Sequence, residues 1–128
     1  MTENENLIIH AKSAMEKAYT PYSGFKVGAA LLTEEGEIYT GCNIENLSYG
    51  ATVCAERTAI FKAVSEGKTV FKKLAVVSSQ GDKTFPCGIC RQVMQEFMPN
   101  GEIIVSDDNS IAIYKVSELL PHSFNSEF

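Results

Sequence analysis

The chain has 128 residues, of which 45% are hydrophobic and 21% charged, and its formal net charge is −5. A chain of this length and composition is expected to fold as one domain, residues 1–128, with one hydrophobic core rather than to remain disordered. The negative charge repels a phosphate backbone, which argues against a nucleic-acid polymer as substrate or partner.

The amino-terminal residues 1–6 are polar and acidic. A secretory or transit signal would be basic and then apolar, and no apolar run approaches the roughly 20 residues of a membrane span. We therefore expect a cytoplasmic protein with no membrane partner. Cysteines in that compartment stay reduced, so the four in this chain are expected to be metal ligands or catalytic rather than a disulfide framework.

The first half of the chain contains a predicted helix and a predicted hairpin. Apolar residues recur at three- and four-residue spacing over residues 7–18, which predicts an amphipathic helix that ends before Pro21. An apolar run over 25–33, a polar turn over 34–37 and a partly alternating run over 38–44 predict two paired strands. We expect the helix to serve packing rather than chemistry.

The second half alternates helices and strands. Residues 54–66 carry one apolar side and are followed by glycine, which predicts a core-facing helix. Residues 74–77 suit a buried central strand, and 86–97 predict a third helix. Two more strands are predicted over 103–105 and 111–113. This order predicts an α/β domain with a mixed sheet and helices on its faces.

Three cysteines stand at the starts of two predicted helices. Cys54 opens the segment Cys54-Ala-Glu, while Cys87 and Cys90 lie in Pro86-Cys-Gly-Ile-Cys. Because helix starts that follow neighbouring strands can meet at one sheet edge, the three thiolates are expected to converge on one ion. Three protein ligands with an open fourth position are typical of catalytic zinc, whereas a structural zinc site normally has four protein ligands.

Cys42 is the one obvious candidate for a fourth thiol ligand. We interpret it as a small buried apolar residue, as free cysteines commonly are. If it were a ligand, the site would be closed and the catalytic interpretation would fall. His10, on the first helix, and His122, near the tail, do not lie in ligand-like settings.

Two charged residues follow Cys54 closely. Glu56 is predicted to stand beside the metal without binding it and to move protons between the activated water, the substrate ring and the leaving amine. Arg57 is predicted to donate hydrogen bonds to the thiolates and to offset their charge, helped by the two helix N-termini. The alternatives are a solvated helix residue for Glu56 and a surface ion pair for Arg57.

Taken together, the motifs resemble the small, homotetrameric class of zinc-dependent cytidine deaminases over almost the whole chain. The segments that carry the resemblance are Pro21-Tyr-Ser-Gly-Phe-Lys-Val-Gly-Ala-Ala, Gly41-Cys-Asn-Ile-Glu-Asn, Cys54-Ala-Glu-Arg-Thr-Ala, Pro86-Cys-Gly-Ile-Cys-Arg-Gln-Val and Glu118-Leu-Leu-Pro. The resemblance implies a three-layer αβα sandwich around a five-stranded mixed sheet. It also implies one zinc ion per subunit and a homotetramer whose subunits share their pockets.

Matched position by position, the resemblance implies zinc ligation by Cys54, Cys87 and Cys90, proton transfer by Glu56 and compensation of thiolate charge by Arg57. Six further residues match positions at the nucleoside site: Phe25, Asn43, Glu45, Tyr49, Ala55 and Phe124. In the family, Phe25 packs at the site, Asn43 and Glu45 bind the ribose 3′-hydroxyl, and the backbone around Ala55 holds the pyrimidine.

Tyr49 and Phe124 match positions through which neighbouring subunits complete each pocket. Apart from the resemblance, four of these residues have ordinary structural interpretations. Phe25 would be a core residue, Asn43 and Glu45 turn residues, and Phe124 a tail anchor.

The implied function is hydrolytic deamination of cytidine and 2′-deoxycytidine to uridine and 2′-deoxyuridine plus ammonia, in pyrimidine salvage. A second hypothesis is a deaminase for another cytosine nucleoside such as blasticidin S, against which the segment Asn43-Ile-Glu-Asn argues. Non-enzymatic hypotheses are a zinc-stabilised interaction domain or a dithiol redox protein, in which Glu56 would be dispensable. An enzyme that edits RNA or DNA is disfavoured by the acidic balance.

Overall fold

The computed structural model of the chain describes residues 1–124. The strands are β1 (Val27–Thr33), β2 (Ile38–Cys42), β3 (Phe71–Ser78), β4 (Glu102–Ser106) and β5 (Ile111–Lys115). The α-helices are α1 (Glu3–Met15), α2 (Ala55–Ser65), α3 (Gly88–Phe97) and α4 (Val116–Leu119), and a short 3₁₀ turn spans Tyr49–Ala51.

The five strands form one mixed sheet in the order β2-β1-β3-β4-β5. β1 runs antiparallel to both β2 and β3, β3 and β4 are parallel, and β4 and β5 are antiparallel. The parallel pair is joined by a crossover that contains α3, as parallel neighbours require. β3 is the central strand and Leu74 to Val77 are buried, so the prediction for this segment is confirmed.

The helices lie on both faces of the sheet. On one face, Leu7 and Ala11 of α1 share a buried cluster with Ala30 and Ala75 of the sheet. On the other face, residues of α2 and α3 form a second cluster with Leu31 and Val76, which directly follow Ala30 and Ala75 along their strands. Successive strand residues point to opposite faces. The three-layer αβα sandwich with a five-stranded mixed sheet is therefore confirmed.

Two glycines allow the helices to approach the sheet closely. A Cβ atom on Gly28 of β1 would lie 2.0 Å from the carbonyl oxygen of Ala11 in α1. A Cβ atom on Gly41 of β2 would lie 2.5 Å from the carbonyl oxygen of Ala55 in α2. The start of α2, which carries the first metal motif, is thus seated directly on β2.

One expectation about the sheet is wrong. The strands that precede α2 and α3 along the chain are β2 and β3, and these are not neighbours because β1 lies between them. The segment 43–54 makes the helix starts meet nonetheless. In it, Ile44 leaves the line of β2 and forms isolated bridges with Tyr19 and Val53, which returns the chain toward the start of α2.

Element boundaries differ modestly from the expectations. α1 ends at Met15 rather than near residue 18, and β2 ends at Cys42 rather than at residue 44. β3 begins three residues earlier than expected, at Phe71. The four residues of α4 are too few to show a helical period, so the sequence did not predict this helix.

The two edges of the sheet differ. At the β2 edge, the ammonium of Lys62 donates a hydrogen bond to the carbonyl oxygen of Thr40. At the other edge, Ile111 and Ile113 of β5 are about half exposed. Within residues 1–124, no helix combines the length and the apolar character that crossing a membrane requires.

Candidate active site

The sulfur atoms of Cys54, Cys87 and Cys90 all lie within 4.8 Å of one another. Cys54 is the N-cap of α2 and Cys87 the N-cap of α3, and their sulfurs are 3.6 Å apart. Tetrahedral zinc with Zn–S bonds of about 2.3 Å places its sulfur ligands roughly 3.8 Å apart. The three thiols therefore fit one zinc ion in both donor chemistry and spacing.

Cys42 does not join this group of sulfurs. It is the last residue of β2. We had expected a buried residue, but Cys42 is only half-buried. It borders a groove at the β2 edge between α1 and α2, together with His10 and Lys62. Three ligands leave one position free in a tetrahedral site, which is the arrangement of catalytic rather than structural zinc.

Arg57 faces the sulfur cluster. Its Nη2 donates a hydrogen bond of 3.4 Å to the sulfur of Cys54. Among residues 1–124 it forms no ion pair with a carboxylate, so the alternative of a surface ion pair is not supported. A cation at this position stabilises thiolates, whose negative charge would otherwise accumulate at one point.

Hydrogen bonding within the cluster separates the thiol pKa values. A hydrogen bond from Cys90 lowers the pKa of the Cys54 thiol to about 5, with a further contribution from Arg57 and against the effect of burial. The same pairing with Cys54, together with burial, raises the pKa of Cys90. Of these two thiols, Cys54 is thus the one that loses its proton first, which prepares it to bind a cation.

Glu56 lies in the first turn of α2 and is only 4% exposed. Burial raises the pKa of its carboxyl group to about 7, because a charged carboxylate is disfavoured away from water. The alternative of a solvated helix residue is therefore wrong. A carboxyl group that titrates near neutrality can both accept and donate a proton under cellular conditions, as a general acid and base must.

Asn43 is buried and its side chain binds backbone on both sides of Lys26. Its Oδ1 accepts a hydrogen bond of 2.8 Å from the Val27 amide, and its Nδ2 donates one of 2.8 Å to the Phe25 carbonyl. Phe25 itself is partly buried against the larger core cluster, two residues before β1 begins. Asn43 therefore fixes the backbone that presents Phe25.

Glu45 organises the turn that precedes Phe25. Its Oε1 accepts hydrogen bonds of 3.1 Å from the backbone amides of Tyr22 and Ser23, and its Oε2 accepts one from the Ser23 hydroxyl. The hydrogen bond from Ser23 holds the pKa of the Glu45 carboxyl below its usual range. Glu45 is consequently an ionised acceptor at neutral pH.

A cavity of about 420 Å³ opens beside Glu45. The residues that line it are Tyr22, Ser23, Glu45, Asn46, Tyr49 and Thr52. The rings of Tyr22 and Tyr49 meet edge to face with centroids 6.2 Å apart. None of the three metal-site cysteines lines the cavity, and neither does Glu56. Glu45 and Tyr49, both expected at the substrate site, thus line one cavity.

The remaining expected residues differ in burial. Ala55 is fully buried at the start of α2. Tyr49 and Phe124 are 72% and 78% exposed, so within one chain Phe124 does not anchor the tail. Both aromatic side chains are free to contact another molecule.

Sequence reasoning gave no role to Tyr22, Ser23 or Thr52, which line the cavity. The signal lay within the motif Pro21-Tyr-Ser-Gly-Phe. A serine two residues before Phe25 favours a turn in which the hydroxyl binds the following backbone amide, and Ser23 accepts that hydrogen bond at 3.0 Å. Its second bond, to Glu45, spans 22 residues and has no local signature.

Residues 1–107 match the family described as the cytidine and deoxycytidylate deaminase zinc-binding region. A cytidine deaminase of Sporosarcina psychrophila is 54% identical over 126 residues, with 96% of this chain and 92% of the relative covered. One of Halalkalibacterium halodurans is 48% identical over 127 residues, with 98% and 96% covered. A blasticidin-S deaminase of Bacillus cereus is 33% identical over 118 residues, with 84% of each chain covered.

Solved structures give the same result. The cytidine deaminase of Burkholderia pseudomallei superposes with a TM-score of 0.91 at 46% identity, over 97% of this chain and 100% of that one. The cytidine deaminase of Mycobacterium tuberculosis superposes with a TM-score of 0.85 at 37% identity, over 98% and 99%. The similarity thus covers the fold as well as the sequence.

Proposed function

The chain belongs to the cytidine and deoxycytidylate deaminase family, and we propose that it is a zinc-dependent enzyme that converts cytidine and 2′-deoxycytidine to uridine and 2′-deoxyuridine. Such an enzyme is a hydrolase that acts on the C–N bond of a cyclic amidine and releases ammonia. The observation that carries the proposal is the buried carboxyl group of Glu56, two residues from a cluster of three thiols with metal-ligand spacing.

Cys54, Cys87 and Cys90 hold one zinc ion per subunit in this proposal. Zinc bound by three protein ligands supplies a Lewis acid that makes water a nucleophile near neutral pH. Arg57 supports the ligand set, since its hydrogen bond to Cys54 disperses thiolate charge that would weaken the Lewis acid.

Glu56 moves the protons. Hydrolysis at C4 of cytosine requires both protons of the attacking water to leave its oxygen in turn, one to reach the ring nitrogen N3 and the other to reach the departing amine. A carboxyl group with a pKa of about 7 is matched to both directions of transfer. Burial of Glu56 also keeps bulk water from competing for these protons.

The sugar and base are held by the segments around Phe25 and Glu45. The ionised carboxylate of Glu45 is an acceptor for a ribose hydroxyl, and the adjoining cavity contains two tyrosine rings. Phe25 packs at the nucleoside, Asn43 acts with Glu45 at the ribose 3′-hydroxyl, and the Ala55 backbone holds the pyrimidine. The hydrogen bonds that Asn43 makes to the backbone at Phe25 and Val27 support a shared role in shaping this site.

Assembly into a homotetramer is part of the proposal. The 44–49 loop exposes Ile44, Leu47 and Tyr49, with Leu47 at 78%. Grouped apolar exposure of this kind marks interaction surfaces. Tyr49 and Phe124 then reach the pocket of a neighbouring subunit. Light scattering of wild type against Leu47→Glu tests this, and a monomeric mass for wild type at assay concentration would contradict it.

The proposal extends to the cellular setting. Residues 1–128 act as a single catalytic domain in the cytoplasm, and the enzyme returns cytosine nucleosides to the pyrimidine pool. The acidic balance, with a formal net charge of −5, supports a small nucleoside rather than a nucleic acid as the substrate.

The proposal is tested by the loss of ultraviolet absorbance at the cytidine band, with zinc content measured in the same preparations. Wild type is expected to convert cytidine, whereas Glu56→Gln keeps its zinc and loses roughly 10² to 10⁴ in kcat. Gln at position 56 preserves shape and removes the titratable group, so the comparison isolates proton transfer. Equal turnover by both proteins would favour a site in which Glu56 is dispensable.

A second candidate, favoured by the 33% identical blasticidin-S deaminase, is deamination of another cytosine nucleoside. Comparative kcat/KM values for cytidine and blasticidin S decide between the two. A higher value for blasticidin S would assign the chain to the second activity. Zinc binding without turnover of either compound would favour a zinc-stabilised interaction domain.

A further inference from the structure

We propose that Ser23 is a positioning residue for sugar recognition, whose hydroxyl holds the Glu45 carboxylate in place to accept a hydrogen bond from the 3′-hydroxyl of a nucleoside. This inference rests on the proposed function, because it concerns how the same site selects its substrate. Ser23 would act through Glu45 and would not itself react.

Ser23 is the centre of a small hydrogen-bond network. Its hydroxyl oxygen accepts a hydrogen bond of 3.0 Å from the Phe25 amide and donates its own proton to Oε2 of Glu45. Its backbone amide donates to Oε1 of Glu45 at 3.1 Å, as does the amide of Tyr22. One residue thus binds both oxygens of the carboxylate and the peptide group of Phe25.

The network leaves a defined acceptor site. A carboxylate oxygen accepts about two hydrogen bonds. Among residues 1–124, Oε1 of Glu45 receives two backbone donors, whereas Oε2 receives the single Ser23 donor. Oε2 therefore has one acceptor position left. Glu45 lines the 420 Å³ cavity together with two tyrosine rings, so a neutral hydroxyl on a compact ring suits the vacant position better than an anion would.

The network also links the two ends of a nucleoside site. The Phe25 peptide is held at its amide by the Ser23 hydroxyl and at its carbonyl by the Asn43 side chain, at 3.0 and 2.8 Å. Loss of the Ser23 hydroxyl frees Oε2 of Glu45, whereas the Phe25 peptide remains held at its carbonyl by the Asn43 side chain. Because a mobile carboxylate must be ordered when ligand binds, the cost falls on binding rather than on chemistry.

Four proteins and two substrates test the assignment. Steady-state kcat and KM are measured for cytidine and 3′-deoxycytidine with wild type, Ser23→Ala, Ser23→Thr and the control Ser48→Ala. Ser23→Thr retains the hydroxyl. Ser48 is an exposed serine of the neighbouring loop whose side chain does not cap the 3₁₀ turn that follows it. Thermal unfolding midpoints establish that all four proteins are folded.

Ser23→Ala is expected to raise KM for cytidine about three- to tenfold, because the net contribution of one hydrogen bond to binding is of that size, and kcat should change little. KM for 3′-deoxycytidine should hardly move, because that compound lacks the hydroxyl that Glu45 accepts. Ser23→Thr and Ser48→Ala should behave like wild type. Equal losses for both substrates would show a merely structural role for Ser23, and a loss in kcat alone would also overturn the inference.

Dissociation constants keep this inference separate from the proposed function. Calorimetric titration of both nucleosides into Glu56→Gln, with and without Ser23→Ala, measures binding without turnover. If wild type is inactive yet the titrations show the same selective loss, the deaminase proposal fails and the role of Ser23 stands. If turnover is normal and the ratio of the two affinities is unchanged by Ser23→Ala, the role of Ser23 fails alone. Absence of both turnover and binding overturns both.

Discussion

The guanidinium of Arg57 and the thiol of Cys54 are one helical turn apart, and their 3.4 Å hydrogen bond lies at the start of α2. Arg57 therefore moves with the helix that carries the first metal ligand. The same short segment of chain therefore fixes both the position of the Arg57 charge and the position of the Cys54 sulfur.

Arg57→Gln is expected to lower zinc affinity about 10- to 100-fold, as loss of a group that hydrogen-bonds a metal ligand typically does. Competition with a chromogenic chelator measures the effect. Lys72→Gln removes one positive charge at an exposed site beside Glu3 and serves as the control. An affinity equal to that of the control would contradict a role for Arg57 at the thiolates.

Cys42→Ser should retain one zinc ion per chain, whereas Cys87→Ser should lose it. The reason is that the Cys87 sulfur lies 3.6 Å from that of Cys54, while Cys42 stands outside the cluster. Metal content after gel filtration in the presence of a weak chelator distinguishes the two variants. Loss of zinc from Cys42→Ser would indicate a closed, four-ligand site.

Gly41→Ala should destabilise the protein by about 1–3 kcal/mol or more, because the added methyl group would collide with the backbone of α2 2.5 Å away. Gly50→Ala is the matched control, since a Cβ atom there meets nothing within 4 Å. Urea unfolding of both variants gives the comparison. Similar midpoints would mean that α2 can shift away from β2 at little cost.

Asp107 is expected to make stability depend on pH. A hydrogen bond from Lys83, at 2.7 Å, holds the pKa of the Asp107 carboxyl below its usual range, and the amides of Asn109 and Ser110 contribute. A depressed pKa stabilises the fold above the unfolded-state value of about 4, and this stabilisation is lost as pH falls through the folded-state value.

The thermal unfolding midpoint of Asp107→Asn should therefore lie below that of wild type at pH 7, and the gap should narrow below pH 4. Asp108→Asn removes the same charge one residue away, outside the ion pair with Lys83. A gap that stays constant from pH 7 to pH 3 would show that Asp107 acts through something other than its charge.

The sequence predicted the elements better than their arrangement. Residues 74–77 are uniformly apolar and β-branched in part, so a buried strand was recognisable, and Cys54 and Cys87 could be assigned to helix starts from local pattern. Which strands become neighbours depends on which surfaces pack together. β1 lies between β2 and β3 because of contacts between distant segments, and no local sequence pattern reveals such contacts.

In the candidate site, too, local motifs were recognisable from the sequence, whereas contacts between distant segments were not. The metal cluster follows from short motifs, and the burial that raises the pKa of Glu56 follows from its place in the first turn of α2, a core-facing helix. By contrast, the bonds from Ser23 and Tyr22 to Glu45 join segments more than 20 residues apart. Such bonds exist only once the chain has folded, so the sequence indicated the residues but not how they hold one another.

The unequal sheet edges determine where folded molecules can wrongly associate. Lys62 occupies a carbonyl of β2 that would otherwise accept a strand from another molecule, and a charged side chain there makes any approaching strand lose hydration. Within residues 1–124, β5 has no comparable lysine contact along Ile111 and Ile113, and Lys115 at its end is the one charged residue of the strand. Growth of aggregates from the native state would therefore start at β5, which makes that strand the place to add a charge when the protein must be kept concentrated.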